Sequence, residues 1–129
     1  MIPVGVIGVG HLGQHHARIM HELSQAELAG IADLDAKRVQ QIAKACKTTA
    51  YNYYKDLFGK IQAAVIAVPT PLHYQIGRDC LEAGIHCLIE KPLCEDVKQA
   101  EELIQISQKK NLILQVGHVE RFNPAVIEA

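Results

Sequence analysis

The sequence predicts an α/β fold, a doubly wound parallel sheet with helices on both faces. Three observations carry that expectation. Strand-length apolar runs alternate with stretches of helical periodicity along the chain, and the short connections between them select parallel strands with right-handed crossovers. Residues 63–68 form a continuous apolar run, the pattern of a central strand covered on both faces. Gly8, Gly10 and Gly13 follow the first strand in the spacing Gly-x-Gly-x-x-Gly.

Residues 3–7 read as the first strand. Leu12, His16, Ile19, Met20 and Leu23 share one helical face, which places the first helix over 12–23. Residues 27–32 are the second strand and end at Asp33. Asp35 is expected to cap a second helix whose apolar face is Val39, Ile42, Ala43 and Cys46. A short third strand is expected at 48–51 and a single helical turn at 56–58. After the core strand, Thr70 and Pro71 make a helix start, with the hydroxyl as cap and proline at the first helical position. That helix carries Leu72, Ile76, Cys80 and Ala83 and stops at Gly84. Residues 86–89 are the next strand. Asp96 with Gln99 resembles a capping box, and the helix it opens ends at Lys109-Lys110, whose charges suit its negative end. Residues 112–116 are the last strand.

Composition narrows the function classes. The chain has 129 residues, 49% of them apolar, enough for one domain with a proper core. A net charge of −1, with basic residues spread out, leaves no electrostatic footprint for nucleic acid. No apolar run approaches the ~20 residues a membrane span needs, and residues 3–7 lead straight into the glycine turn rather than forming a cleavable leader. A soluble cytoplasmic protein is the expectation. Cys46, Cys80, Cys87 and Cys94 contain no Cys-x-x-Cys pair and read as reduced, mostly buried thiols. His11, His15 and His16 overlap the glycine turn and lack a further ligand nearby, so no metal site is expected.

The glycines carry chemistry. Gly8 permits the tight strand-to-helix turn, Gly10 lets the backbone approach a pyrophosphate, and Gly13 lets helix and strand pack closely. The turn Gly8-Val9-Gly10-His11-Leu12-Gly13 therefore reads as the anion-binding element of a Rossmann dinucleotide-binding fold. Asp33, at the end of the second strand, suits two ribose hydroxyls and repels a 2′-phosphate. Leu34 and Asp35 follow it, with no arginine or serine immediately after, so NAD is expected and NADP disfavoured. Ligands in such folds bind beyond the carboxyl ends of the strands, which adds Val68 to His73 and Glu90-Lys91-Pro92 to the site. Lys91 at a strand end can donate to a substrate oxygen and help move a hydroxyl proton during hydride transfer. A solvated surface ion pair between Glu90 and Lys91 is the plainer alternative.

Three segments together resemble one family. Gly8-Val9-Gly10-His11-Leu12-Gly13-Gln14-His15-His16-Ala17, Ala67-Val68-Pro69-Thr70-Pro71-Leu72-His73 and Glu90-Lys91-Pro92-Leu93 look like the glucose-fructose oxidoreductase, inositol dehydrogenase and rhizopine-catabolism oxidoreductase family. The resemblance spans the whole chain. It implies that this half binds a nicotinamide cofactor and that a second domain with a large open sheet holds the substrate. It implies that Lys91 touches cofactor and substrate, that Pro69, Thr70 and His73 line the nicotinamide ribose, and that the Lys91-Pro92 bond is often cis. His16 matches a common family histidine, expected to pack against the sheet. Ala63 stands where many members have aspartate. The segment Val116-Gly117-His118-Val119-Glu120-Arg121-Phe122-Asn123-Pro124-Ala125 looks like the junction in bacterial members that act on nucleotide-activated amino sugars, such as UDP-N-acetylglucosamine 3-dehydrogenases. His118, Arg121 and Asn123 would then lie near the nicotinamide end, with Arg121 on a phosphate or carboxylate or in a salt bridge with Glu120.

On this reading residues 1–129 are one cofactor-binding domain, with 1–117 its core and 118–129 the start of a junction to a substrate domain that is not in the chain. The parent is expected to be a homo-oligomeric NAD-dependent dehydrogenase of a sugar or nucleotide sugar, and this piece to bind without turnover. A stand-alone NAD(H) sensor without chemistry is the alternative. The cofactor domain of another reductase, such as a dihydrodipicolinate reductase, shares the glycine turn, but Glu90-Lys91-Pro92 argues against it.

Overall fold

A computed structural model of the chain describes residues 1–117. Six strands form one sheet: β1 (Ile2–Ile7), β2 (Ala26–Ala32), β3 (Ala50–Tyr51), β4 (Ala63–Ile66), β5 (His86–Glu90) and β6 (Leu114–Gly117). Four helices connect them: α1 (His11–Glu22), α2 (Ala36–Ala45), α3 (His73–Glu82) and α4 (Val97–Lys109). The strand order is β3-β2-β1-β4-β5-β6, and every pairing is parallel. This is the doubly wound order that reverses between β1 and β4.

Side-chain alternation along the strands builds a core on each face. On one, Val4 and Val6 of β1, Ile31 of β2 and Val65 of β4 pack with Ala17 and Met20 of α1 and Val39 and Ala43 of α2. On the other, Ile7, Ala64, Ile66, Cys87 and Ile89 pack with Ile76, Cys80 and Leu81 of α3 and Leu103 of α4. The second face also receives Leu57 from a 3-10 turn, Tyr54–Leu57, and Ile61 from the loop before β4.

The expected elements are all present, with shifted ends. Strand β4 stops at Ile66 rather than residue 68, although the Ala67 N–H still donates to the Ile7 carbonyl at 2.8 Å. Thr70 is not a side-chain cap. Pro69 precedes a 3-10 turn, Thr70–Leu72, closed by Leu72 N–H on the Pro69 carbonyl at 2.9 Å, and α3 begins at His73. Strand β6 begins at Leu114 because the two preceding N–H groups are engaged elsewhere. Leu112 donates to the Ser107 carbonyl at 2.8 Å and Ile113 to His86 Nδ1 at 3.0 Å. Asp35 and Asp96 cap α2 and α4 as expected, accepting from Arg38 N–H at 3.0 Å and Gln99 N–H at 2.9 Å. Gly84 follows α3 with φ +82°, the left-handed conformation that ends helices. All four cysteines are free thiols: Cys46, Cys80 and Cys87 are buried and Cys94 half-buried.

Candidate functional site

Because the strands are parallel, the segments after β1, β2, β4 and β5 all leave the same edge of the sheet. Gly8 leaves β1 with φ +91°, and a Cβ there would press on the Ala67 carbonyl oxygen at 2.7 Å. Gly13 lies against the Gly8 carbonyl so closely that a Cβ would overlap it. These two contacts set α1 tightly over the end of β1.

Gly10 is different. It is the N-cap of α1, no side chain caps the helix, and the position a Cβ would take is open, with nothing within 4 Å. The first turn of α1 also lacks an acidic residue. Among the described residues no side chain therefore competes for its first N–H groups, and these with the positive end of the helix dipole suit a pyrophosphate. His11 and Leu12 are exposed on that turn, whereas Val9 is buried in the core.

Asp33 follows β2 and is held by several donors. Its Oδ2 accepts from Val9 N–H at 2.8 Å and its Oδ1 from Asp35 N–H at 2.8 Å. Arg38 Nη2 donates to both oxygens, at 3.1 and 3.2 Å. Burial works to raise the Asp33 carboxyl, but the two N–H groups and Arg38 outweigh it and hold the group below its ordinary value. Leu34 beside it is 84% exposed.

The segments after β4 and β5 meet through His73. Its buried ring places Nε2 at 2.7 Å from the Val68 carbonyl and Nδ1 at 2.9 Å from the Pro92 carbonyl and 3.2 Å from that of Leu93. His73 therefore spans the two loops rather than presenting its ring to solvent. Pro69 is exposed and Thr70 half-buried. The Lys91-Pro92 peptide is cis, Lys91 N–H donates to the Gly117 carbonyl at 2.8 Å, and the Lys91 and Pro92 side chains are exposed.

Glu90 overturns the surface ion-pair alternative. It is only 6% exposed, and its carboxylate accepts from Nε2 of His16, which is fully buried on α1. The Glu90 side chain is buried at the end of β5, whereas Lys91, the first residue beyond the strand, is exposed.

Residues 2–118 match the oxidoreductase family named for glucose-fructose oxidoreductase, inositol dehydrogenase and MocA, described as having an NAD-binding Rossmann fold. The chain belongs to that family. It is 39% identical over 122 residues to a UDP-N-acetylglucosamine 3-dehydrogenase of Acidithiobacillus ferrooxidans, covering 95% of this chain and 38% of that one. An inositol 2-dehydrogenase of Rubrobacter xylanophilus is 32% identical over 127 residues, covering 95% and 37%. Among solved structures, the A. ferrooxidans enzyme superposes with a TM-score of 0.89 at 36% identity, over 98% of this chain and 41% of that one. A Lactobacillus casei scyllo-inositol dehydrogenase with bound NAD(H) and scyllo-inositol gives 0.87 at 26% identity, over 97% and 38%. The chain thus spans about two-fifths of the length of these relatives.

Within this oxidoreductase-family domain the expected residues fall into two groups on one sheet edge, the glycine turn with Asp33 and the Val68–His73 and Glu90–Pro92 loops. His118 and Arg121 lie outside the described residues. Among the described residues, no group of three or more His, Cys, Asp or Glu side chains converges as a metal needs, and no helix is long and apolar enough to cross a membrane. Sequence reasoning missed Arg38. A cation directly after Asp33 is absent, but the Asp35 cap starts α2 and its first turn swings Arg38 back onto that carboxylate. The signal was an arginine three residues after the capping aspartate.

Proposed function

We propose that this chain is the cofactor-binding half of an NAD-dependent oxidoreductase that oxidises a ring carbinol of a sugar or nucleotide sugar to the ketone. One arrangement carries the reading: a capless glycine turn, an anchored Asp33 and an outward-facing Lys91 on a buried Glu90 share one edge of a parallel sheet. The names of the A. ferrooxidans and R. xylanophilus relatives supply the substrate class.

When bound, NAD supplies the hydride acceptor. The Gly8 to Gly13 turn, with Val9, His11 and Leu12, holds the pyrophosphate at the start of α1, and Asp33 with Leu34 takes the adenosine ribose. Val68, Pro69, Thr70 and His73 line the nicotinamide end with Glu90 and Pro92, and His118 and Arg121 complete it. Lys91 would hydrogen-bond the carbinol oxygen through its Nζ and, being open to solvent, pass the hydroxyl proton on to water, while the hydrogen on the same carbinol carbon would leave as hydride to the nicotinamide. Residues 1–117 are the core of this domain and 118–129 lead toward a substrate domain. The parent is a homo-oligomer, and the chain by itself binds NAD without turnover.

Calorimetric titration of the chain with NAD and with NADP tests this. The expected result is NAD binding that is lost in Gly10→Val and Asp33→Ala. Binding unchanged in both variants overturns the site. Formation of NADH from UDP-N-acetylglucosamine or inositol by the chain alone overturns the claim that it needs the other half.

A further inference from the structure

Among the described residues the Asp33 carboxylate accepts four contacts. A carboxylate offers about four lone-pair directions, and Asp33 uses them on Val9 N–H, Asp35 N–H and two contacts from Arg38 Nη2. The first two donors are backbone groups fixed by the glycine turn and by the start of α2. Among the described residues Arg38 is the one donor on a side chain, and that side chain is 41% exposed. A ribose diol that is to use Asp33 as acceptor must therefore displace Arg38.

Arg38 for its part holds unused donors. Its buried Nε finds no acceptor among the described residues. Its Nη1 lies 3.9 Å from Asp35 Oδ2, beyond hydrogen-bond distance. A guanidinium presents five N–H donors in a planar fork that matches phosphate. A lone Asp33 would repel a 2′-phosphate; the Asp33–Arg38 pair cancels that charge and adds a phosphate-binding fork.

We propose that Arg38 is a specificity-determining residue of this site, setting the margin between NAD and NADP. Resting on the cofactor reading above, the inference is that NAD enters by displacing Arg38 from Asp33, whereas NADP engages Arg38 through its 2′-phosphate. The preference for NAD is then narrower than Asp33 alone would impose.

The test is calorimetric titration of the unaltered chain, Arg38→Ala and Asp33→Asn with NAD and with NADP, each variant first checked for an unchanged thermal melt. In Arg38→Ala, NADP affinity falls roughly tenfold or more, the loss expected for a charged hydrogen-bonding group, and NAD affinity stays level or rises. In Asp33→Asn the preference shifts toward NADP. Four outcomes overturn the inference: an unchanged NAD-to-NADP ratio in Arg38→Ala, a larger loss for NAD than for NADP in that variant, no measurable NADP binding by an unaltered chain that binds NAD, or no shift in Asp33→Asn. Binding of neither dinucleotide by the unaltered chain overturns the cofactor reading itself, and this inference with it.

Discussion

His16 and Glu90, 74 residues apart in sequence, hydrogen-bond inside the protein and join α1 to the end of β5. The helix that carries the glycine turn and the strand that ends in Lys91 are thus tied by one buried contact. Removing one partner of such a pair costs more than the pair contributes, because the other is left in a dry site. His16→Ala is expected to destabilise the fold by about 3 kcal/mol in urea unfolding, and His16→Ala combined with Glu90→Gln by less than the sum of the single changes. Additivity within about 0.5 kcal/mol would show that the contact carries no coupling.

The glycine turn separates packing from ligand space. Gly13→Ala forces a methyl into the Gly8 carbonyl, so backbone must move and the melting temperature should drop by several degrees. Gly10→Ala meets nothing within 4 Å, and its φ of −67° is open to any residue. Its stability cost should stay within about 1 kcal/mol, the difference between glycine and alanine at an N-cap. Its NAD affinity should nonetheless fall, because the methyl occupies space over the start of α1. A Gly10→Ala chain with unaltered NAD affinity would place the pyrophosphate elsewhere.

Local rules made most of this fold legible. Alternation of apolar faces, the caps at Asp35 and Asp96 and the stop at Gly84 each depend on residues a few positions apart, and the structure places them accordingly. The family resemblance rested on segments that also keep their spacing. What stayed hidden depends on contacts between elements. No periodicity brings His16 to Glu90, or turns the His73 ring onto the carbonyls of Val68 and Pro92. The Thr70 cap failed for a related reason: the Pro69 carbonyl closes a 3-10 turn first. Arg38 was missed because its approach to Asp33 needs the helical turn between them.

Asp33 also makes stability depend on acid. Its folded-state carboxyl lies below the ordinary value of 3.8 despite burial, which opposes ionisation, because Asp35 N–H, Val9 N–H and Arg38 favour the charged form. A depressed folded value means the stabilising contribution is complete above the unfolded value and is lost as pH falls through the folded one. The difference in unfolding free energy between the unaltered chain and Asp33→Asn should therefore be constant from neutral pH to about pH 5 and shrink below about pH 4. Urea unfolding across that range checks it. A difference that stays constant down to pH 2 would mean that Asp33 stabilises the fold without its charge.

His73 ties the loop after β4 to the loop that carries Lys91. In His73→Ala the carbonyls of Val68, Pro92 and Leu93 lose the ring that bridges them, and the buried volume of the imidazole is emptied. A buried polar group without its partner costs about 1–3 kcal/mol, so a loss of that order is expected in urea unfolding. The loss should be local as well as global. Amide exchange at Leu93 and Cys94 should accelerate beyond what the drop in overall stability explains, because the ring no longer holds the Pro92 and Leu93 carbonyls of their loop. NAD affinity should fall with it, since both loops on the nicotinamide side of the proposed site lose their shared anchor. His73→Asn, whose amide nitrogen takes the place of Nδ1 and retains the arm toward the Pro92 and Leu93 carbonyls, should recover part of both effects. Equal exchange rates in His73→Ala and the unaltered chain would make His73 a packing residue and leave the Lys91 loop held by other contacts.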